Sequence, residues 1–131
     1  MFTTTAKDAV MDGIFGGAGS ALPTSFEVAL STTTPNADGS NITEPDSSTG
    51  YGRVALSGFG ASSGGTVVND QAIEFPSFTA DAGVATHYVL FDQNGNPYWF
   101  DQLKNSRHLE VDTVLAFAAN AIQITLNDLI A

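Results

Sequence analysis

The feature that most constrains the fold is a two-residue alternation of apolar and polar side chains that starts at residue 26 and recurs in short runs. In the first run, "FEVALS", Phe26, Val28 and Leu30 share one face of a strand, which we expect to be the buried face. Gly, Asn, Asp and Pro separate the runs, and Asn94-Gly95 is a strong hairpin signal. Seven or eight short strands with frequent turns predict an all-β protein, an antiparallel β-sandwich or jelly roll.

Several runs predict particular strands. "ATHYVLFD" is apolar on both faces, which is typical of a central strand covered on both sides, and "PYWFDQL" is expected to pair with it across the hairpin turn. "TVVNDQAIEFPSF" predicts a single strand that Pro76 closes. In the last strand, "AIQITLND", the alternation points Ile122, Ile124 and Leu126 inward.

An amphipathic helix is predicted ahead of the strands. Thr3 to Thr5 offer an N-cap, and Gly16-Gly17 ends the helical pattern. The apolar residues in between recur at helical spacing and predict a stripe that docks on another surface; they are Ala6, Val10, Met11, Ile14 and Phe15. We therefore divide the chain into an N-terminal helix with a flexible joint, residues 1–20, and a single β-sandwich domain, residues 21–131.

The charge balance excludes several classes of partner. Four basic residues against fourteen acidic ones give a formal net charge of −10, which repels both nucleic-acid phosphates and anionic membranes. No run approaches the roughly 18 apolar residues of a membrane span, and the N-terminus does not have the pattern of a signal peptide. The chain contains no cysteine, so neither a disulfide nor a thiolate metal site is expected.

The segment 32–52 has almost no apolar residues and is rich in Pro, Gly, Asn and Asp. A loop of this length in a compact domain is usually functional or disordered. Its oxygen-bearing side chains are weak calcium candidates, although their spacing does not match an EF-hand; they are Asp38, Asn41, Glu44 and Asp46. Turn chemistry is the simpler explanation of these residues, so we expect no metal and no cofactor.

No catalytic constellation emerges from the sequence. His87 shares a strand face with Val89 and Phe91, so we interpret it as a core or interface residue that donates to a backbone carbonyl, whereas His108 stands alone. The chain has no Gly-x-Ser-x-Gly motif and no phosphate-binding loop. A carbohydrate-active enzyme with paired carboxylates is the remaining enzymatic alternative. Because nearly every acidic residue falls in a turn or on a polar strand face, we expect a protein that is not an enzyme.

Two further residues are candidates for contact with partners. Trp99 lies on the strand face opposite Tyr98 and Phe100, where an indole can stack on a sugar, contact a protein or pack beneath the N-terminal helix. Arg53 is rare in so acidic a chain, and we expect it to form an ion pair with a neighbour or with another subunit. The complete set of interface candidates is Val10, Ile14, Phe15, Arg53 and Trp99.

The order of segments is itself informative. A helix leads into "FEVALSTTTP", a loop rich in Gly, Asp and Asn ends in "GYGRVAL", and "IEFPSFTADAGVATHYVLFD" precedes a closing "AIQITL" strand. Over most of its length the chain resembles small virion structural proteins of tailed bacteriophages, often labelled tail fibre proteins, some of which are capsid decoration or minor capsid proteins. The best markers are Tyr51-x-Arg53, Phe75-Pro76, Ala80-Asp81-x-Gly83 with Thr86-His87, and the terminal amphipathic strand.

The resemblance implies a location in the virion after assembly in the host cytoplasm. The leading hypothesis is a capsid decoration protein (a cement or minor capsid protein) that binds the outer surface of a phage head and stabilises it. Its partner is then the major capsid protein or another virion protein. The alternatives are a tail fibre or baseplate component for host attachment, with glycan as a further ligand, and the carbohydrate-active enzyme. We expect a homo-oligomer, and a trimer in particular, because cement sites commonly lie on local symmetry axes.

Overall fold

The computed structural model describes residues 1–16, 22–56 and 58–126. They form one α-helix, α1 (Thr4–Ile14), and eight strands that all pair antiparallel. The strands are β1 (Phe26–Ser31), β2 (Val54–Leu56), β3 (Thr66–Val68), β4 (Ile73–Glu74), β5 (Val84–Asp92), β6 (Pro97–His108), β7 (Ala116–Phe117) and β8 (Gln123–Thr125). This confirms the predicted all-β antiparallel fold with one short N-terminal helix. Within the described ranges, no helix has the length and apolar character needed to cross a bilayer.

The centre of the fold is a four-stranded sheet in the order β2-β1-β5-β6. Strands β5 and β6 form the predicted hairpin, and Gly95 adopts a φ of 81° that glycine tolerates without strain. The Asp92 carboxylate is 3% exposed and accepts the backbone N–H groups of Asn94 and Asn96 at 2.9 and 2.8 Å. The turn is therefore fixed by a buried side chain as well as by its backbone conformation.

One face of the central sheet carries the main core. Two small sheets, β3-β8 and β4-β7, contribute the side chains that pack against this face. The largest fully buried side chains of this layer are Phe75, Phe78, Leu30, Leu90, Leu109 and Ile122. Because the described strands form one sheet of four and two sheets of two, the jelly-roll variant of the prediction is not confirmed.

The other face of the central sheet is covered by the 32–53 loop instead of by strands. Ala29, Val89, Phe91 and Phe100 form a separate buried cluster on this face, and Ile42 from the loop packs against it. This loop layer explains why β5 is apolar on both sides, as predicted. It also makes the second half of β1 more buried than the half-buried strand that its alternation indicated.

The prediction of a single strand in "TVVNDQAIEFPSF" is wrong, because this segment forms β3 and β4 in two different sheets. Asn69 lies fully buried between them. Its side-chain amide donates to the backbone carbonyls of Gln71 and Ala118, and its side-chain carbonyl accepts the N–H of Ile122 at 2.8 Å. A buried amide that binds three backbone groups turns the chain out of the first sheet, which a two-residue alternation does not reveal.

Two positions that the alternation pointed inward are not core positions. Leu126 is 46% exposed, because it lies beyond the last paired residue of β8. Phe26 is half-buried at the start of β1, where it packs at the margin of the main core. By contrast, Ile122 and Ile124 are buried as predicted.

Helix α1 packs on β6 from its first turn. The hydroxyl of its N-cap residue Thr3 accepts the N–H of Ala6 at 3.2 Å and donates to the carbonyl of Pro97 at 2.7 Å. The backbone N–H of Thr3 donates to the carbonyl of Tyr98 at 3.0 Å. The start of the helix is thus joined to the sheet by hydrogen bonds. Residues 17–20 of the predicted flexible joint lie outside the described residues.

Candidate interaction surface

The end of α1 carries the two most exposed large apolar side chains of the described residues, those of Phe15 and Ile14. Successive helical residues are rotated by about 100°, so the buried Ala6 and Ala9 lie on one side of α1. Met11, Ile14 and Phe15 point away from that side, with 46%, 62% and 77% of their surface exposed, respectively. We refer to these three residues as the α1 outer face.

Small side chains determine which side of α1 faces the domain. Ala6 and Ala9 are buried, and short side chains let the helix axis approach β6 closely. A Cβ atom at Gly13 would lie 3.0 Å from Cδ2 of Leu22, so the chain after the helix also uses this small side. The apolar stripe predicted from the sequence is therefore divided. Val10 is half-buried and belongs to the packed side, while the described residues leave the α1 outer face exposed.

Negative charge borders the α1 outer face. Asp8 and Asp12 are both exposed, and Lys7 is the one basic residue within the helix. The last turn of α1 has no basic residue, so nothing there offsets the partial negative charge of the helix C-terminus. The surface is therefore a patch of large apolar side chains with two carboxylates along one side and the ammonium group of Lys7 one turn before Met11, within a chain of formal net charge −10.

An apolar cavity of about 310 Å³ lies between α1 and the sheets, and Trp99 forms part of its wall. Trp99 is 9% exposed, its ring meets that of Phe2 edge-on at 4.9 Å, and its Nε1 donates to the Tyr88 hydroxyl at 3.0 Å. Burial raises the pKa of Tyr88 to about 12. Trp99 therefore packs beneath the N-terminal segment, and its selection as an interface residue is corrected, because a buried indole has no face free for a partner.

Arg53 is engaged within the chain. Its Nε and Nη2 atoms donate to the two carboxylate oxygens of Glu44 at 3.0 and 2.8 Å, and its guanidinium lies 3.8 Å from the centre of the Phe91 ring. The Tyr51 hydroxyl donates to the same carboxylate at 2.6 Å. Burial alone would raise the pKa of Glu44, but the hydrogen bonds from Arg53 and Tyr51 outweigh burial and lower it. Of the two expected partners for Arg53, the structure shows a neighbour in the same chain.

The four calcium candidates do not converge on one point. Asp38 accepts the N–H and the hydroxyl of Ser40, Asp46 caps a short 3₁₀ turn, and the Asn41 amide donates to a backbone carbonyl of the loop. Glu44 is held by the ion pair described above. In the ranges that the structure describes, no three His, Asp or Glu residues lie close enough to hold a metal ion. Turn and loop chemistry accounts for the positions of all four residues.

His87 lies on the strand face of Val89 and Phe91, as predicted, but it is half-buried and does not donate to a backbone carbonyl. Its Nδ1 is 2.8 Å from the hydroxyl of Thr86, the preceding residue. Partial burial lowers the pKa of the His87 imidazole. The side chain thus packs at the margin of the loop-covered face.

His108 does not stand alone, which sequence reasoning missed. Its Nε2 is 2.8 Å from Oδ2 of Asp81 and its Nδ1 is 3.2 Å from Oε1 of Glu110. All three side chains are about half exposed or more, at 48%, 60% and 66%, respectively. The β5–β6 register places His108 opposite Val84, next to the turn that holds Asp81. The cluster joins the two ends of the long hairpin, and its sequence signal, a His-x-Glu at a strand end, is too short to reveal it.

The comparisons with known proteins agree with a structural role in a virus particle. A family model described as podophage GP4 fiber I protein gp80 matches residues 1–125, which include α1 and all eight described strands. No curated protein matches the chain. The match covers almost the entire sequence and agrees with the resemblance to phage virion proteins. The chain therefore belongs to the podophage GP4 fiber I protein gp80 family and is a structural protein of the phage virion.

Proposed function

We propose that this chain is a non-enzymatic component of a virion fibre that acts by binding other proteins of the particle. The name of the matching family supports the fibre assignment. The single observation that carries a binding role is the α1 outer face, where three large apolar side chains are exposed on a helix whose opposite side is fixed to the sheet. Exposed apolar groups with a polar border are typical of protein–protein contact surfaces.

The arrangement of titratable groups supports a role without catalysis. In the described part of the chain, the one hydroxyl hydrogen-bonded to an imidazole is that of Thr86, the direct neighbour of His87. The Asp81 carboxylate is occupied by His108 and by the backbone N–H of Gly83. A glycoside hydrolase needs two carboxyl groups that face a bound sugar, and the acids of the 32–53 loop are instead engaged in turns and in the ion pair of Arg53.

A glycan-binding version of the fibre role receives no support from Trp99. Stacking on a sugar requires a solvent-facing aromatic ring, and this indole is buried against Phe2 and hydrogen-bonded to Tyr88. Host attachment by this chain would therefore have to use a surface other than Trp99. For that reason we place its role in assembly of the fibre rather than in recognition of sugar.

Capsid decoration is the second candidate function. One observation favours it: the described strands pack into one compact unit around a main core, instead of forming the elongated repeats of a fibre shaft. A compact, acidic unit suits attachment to the surface of a head as well as to a fibre base. The expected trimer is compatible with both locations and stays a prediction.

Fractionation of the parent phage tests the proposal. Heads and tails are separated after gentle disruption of virions, and the protein is quantified in each fraction with a specific antibody. We expect it in the tail fraction, and immunogold labels should lie on fibres. Recovery with heads alone would favour capsid decoration, and absence from both fractions would contradict a virion role. Glycan hydrolysis by the purified protein would contradict the non-enzymatic assignment.

A further inference from the structure

We infer that the α1 outer face is the docking surface for a different virion protein, one that presents an apolar groove bordered by Lys or Arg side chains. This inference rests on the proposed binding role and adds to it the surface and the chemistry of the partner. It depends on three observations: the described residues leave these side chains exposed, the side chains form a continuous helical patch, and the charge around them selects the partner.

In residues 1–16, 22–56 and 58–126, the contacts that anchor α1 do not involve the α1 outer face. The helix is anchored through its N-cap Thr3 and through the buried Ala6 and Ala9, all in its first two turns or before them. Ile14 and Phe15 lie at the opposite end, with 62% and 77% of their surface in solvent. Large apolar side chains at these positions do not support the core of the described residues, and exposed apolar groups of this kind are typical of contact surfaces.

The three residues have the spacing of a helix that lies in a groove. Met11, Ile14 and Phe15 stand at positions i, i+3 and i+4, which project from the same side of a helix. Leu22 packs beside Gly13 on the opposite, packed side of the helix and is not part of this patch. Because the start of the helix is fixed to β6, the patch is presented in a defined orientation, which lowers the entropic cost of docking.

The charges around the patch favour a basic partner over a second copy of this chain. Asp8, Asp12 and Lys7 border the patch, so the carboxylates outnumber the ammonium group, and the last turn of α1 carries no basic residue. Two copies joined through this face would bring these carboxylates together, in a chain whose formal net charge is already −10. A partner groove with Lys or Arg at its rim would instead be attracted to the carboxylates and to the helix C-terminus.

The test uses the full chain and two double variants. Binding is measured by co-sedimentation with heads and with tails purified from phage particles that lack this protein. Ile14→Gln/Phe15→Gln removes the most exposed part of the patch. Val111→Gln/Val114→Gln is the matched control, because these residues are 56% and 44% exposed at a site away from the helix. Thermal unfolding of each variant verifies that it is folded.

We expect the helix variant to bind tails at least about tenfold more weakly than the wild type, with the control variant unchanged. Equal binding by the helix variant and the wild type would overturn the inference. Wild-type binding to heads alone would contradict the fibre proposal, and the same pair of variants measured on heads would still decide the inference. If the wild type binds neither heads nor tails, both the inference and the fibre proposal are overturned.

The charge and the identity of the partner are tested separately. The Asp8→Lys/Asp12→Lys variant should bind more weakly than the wild type. Added salt should weaken binding by the wild type more than binding by this variant. Unchanged or tighter binding by the variant would contradict the basic rim. Sedimentation velocity of the free protein tests whether a second copy of this chain binds the α1 outer face. An oligomer that Ile14→Gln/Phe15→Gln dissociates would show that a second copy occupies the face and would overturn the inference.

Discussion

The 32–53 loop and the α1 outer face are both unusual stretches of sequence, yet the fold treats them in opposite ways. The loop is polar, and its groups bind one another and cover the second face of the central sheet through Ile42 and Arg53. The α1 outer face is apolar, and the described part of the chain leaves it largely in solvent. The polar groups of the loop thus form hydrogen bonds within the chain, whereas the apolar side chains of the α1 outer face lie largely in solvent.

This difference separates structural from functional features more clearly than composition does. A long polar loop suggests binding, but hydrogen bonds within the loop and to the sheet satisfy its polar groups, as in Thr33 with Asn41 and Tyr51 with Glu44. Large exposed apolar side chains cannot be satisfied by hydrogen bonds, because the free-energy cost of apolar surface in water is removed only by burial. The predictions below therefore contrast residues that stabilise the fold with residues of the α1 outer face, in order of decreasing effect on stability.

Truncation of Trp99, which packs beneath the N-terminal segment, should have the largest effect on the free energy of unfolding. Trp99→Ala removes the contact with Phe2 and the hydrogen bond to Tyr88 and enlarges the adjoining cavity, and we expect it to lower the free energy of unfolding by about 3–5 kcal/mol. Chemical denaturation with and without the substitution measures this change. A loss below about 1 kcal/mol would mean that the indole is not part of the core.

Removal of the charge on Glu44 should have an intermediate effect. Glu44→Gln leaves the Arg53 guanidinium on Phe91 without its carboxylate, and we expect a loss of about 1–3 kcal/mol in the free energy of unfolding. Asp38→Asn is the control, because Asp38 is an exposed residue of the same loop that caps a local turn. If both substitutions cost the same, the ion pair does not hold the loop on the sheet.

The same carboxylate should give the loop a pH dependence. Because the pKa of Glu44 in the folded protein lies below its ordinary value of 4.5, the folded state favours the ionised form. This contribution is fully present above pH 4.5 and is lost as the pH falls through the lower value of the folded state. Between pH 7 and pH 3, the free energy of unfolding should fall more steeply for the wild type than for Glu44→Gln. Parallel curves would contradict this role.

Substitution on the α1 outer face should have the smallest effect on stability. We expect Ile14→Gln/Phe15→Gln to change the free energy of unfolding by no more than about 0.5 kcal/mol, because both side chains are mostly in solvent. The measurement is the same denaturation experiment used for Trp99→Ala. A loss comparable with that of Trp99→Ala would show that these side chains pack against the domain and would remove the contrast between the two regions.

The parts of the fold that the sequence predicts are those set by local chemistry. Thr3 and the glycines after the helix set the limits of α1, and Asn94-Gly95 identifies the central hairpin, because capping and turn preferences depend on a few adjacent residues. The apolar run of β5 correctly predicts a central strand. That a loop and not a second sheet covers the other face of β5 is not predictable from this run. An apolar strand face has the same sequence pattern whether a loop or a sheet packs on it.

The parts that the sequence does not predict depend on distant contacts. Asn69 divides one predicted strand into two because its amide reaches Ala118 and Ile122, about fifty residues away. The pairing of His108 with Asp81 depends on the register of β5 and β6. Likewise, helical periodicity identifies the apolar residues of α1 but does not state which of them face the domain, since that choice depends on the shape of β6.

Site-specific photocrosslinking in assembled virions tests the central claim most directly. A photoreactive phenylalanine analogue is placed at Phe15, on the α1 outer face, and at Val111 as the control, and the crosslinked products are identified by mass spectrometry. We predict that position 15 crosslinks to one different virion protein, at a site flanked by Lys or Arg, and that position 111 does not crosslink to that protein. Crosslinks from position 15 to another copy of this chain, or to no protein at all, would contradict the assignment of this surface.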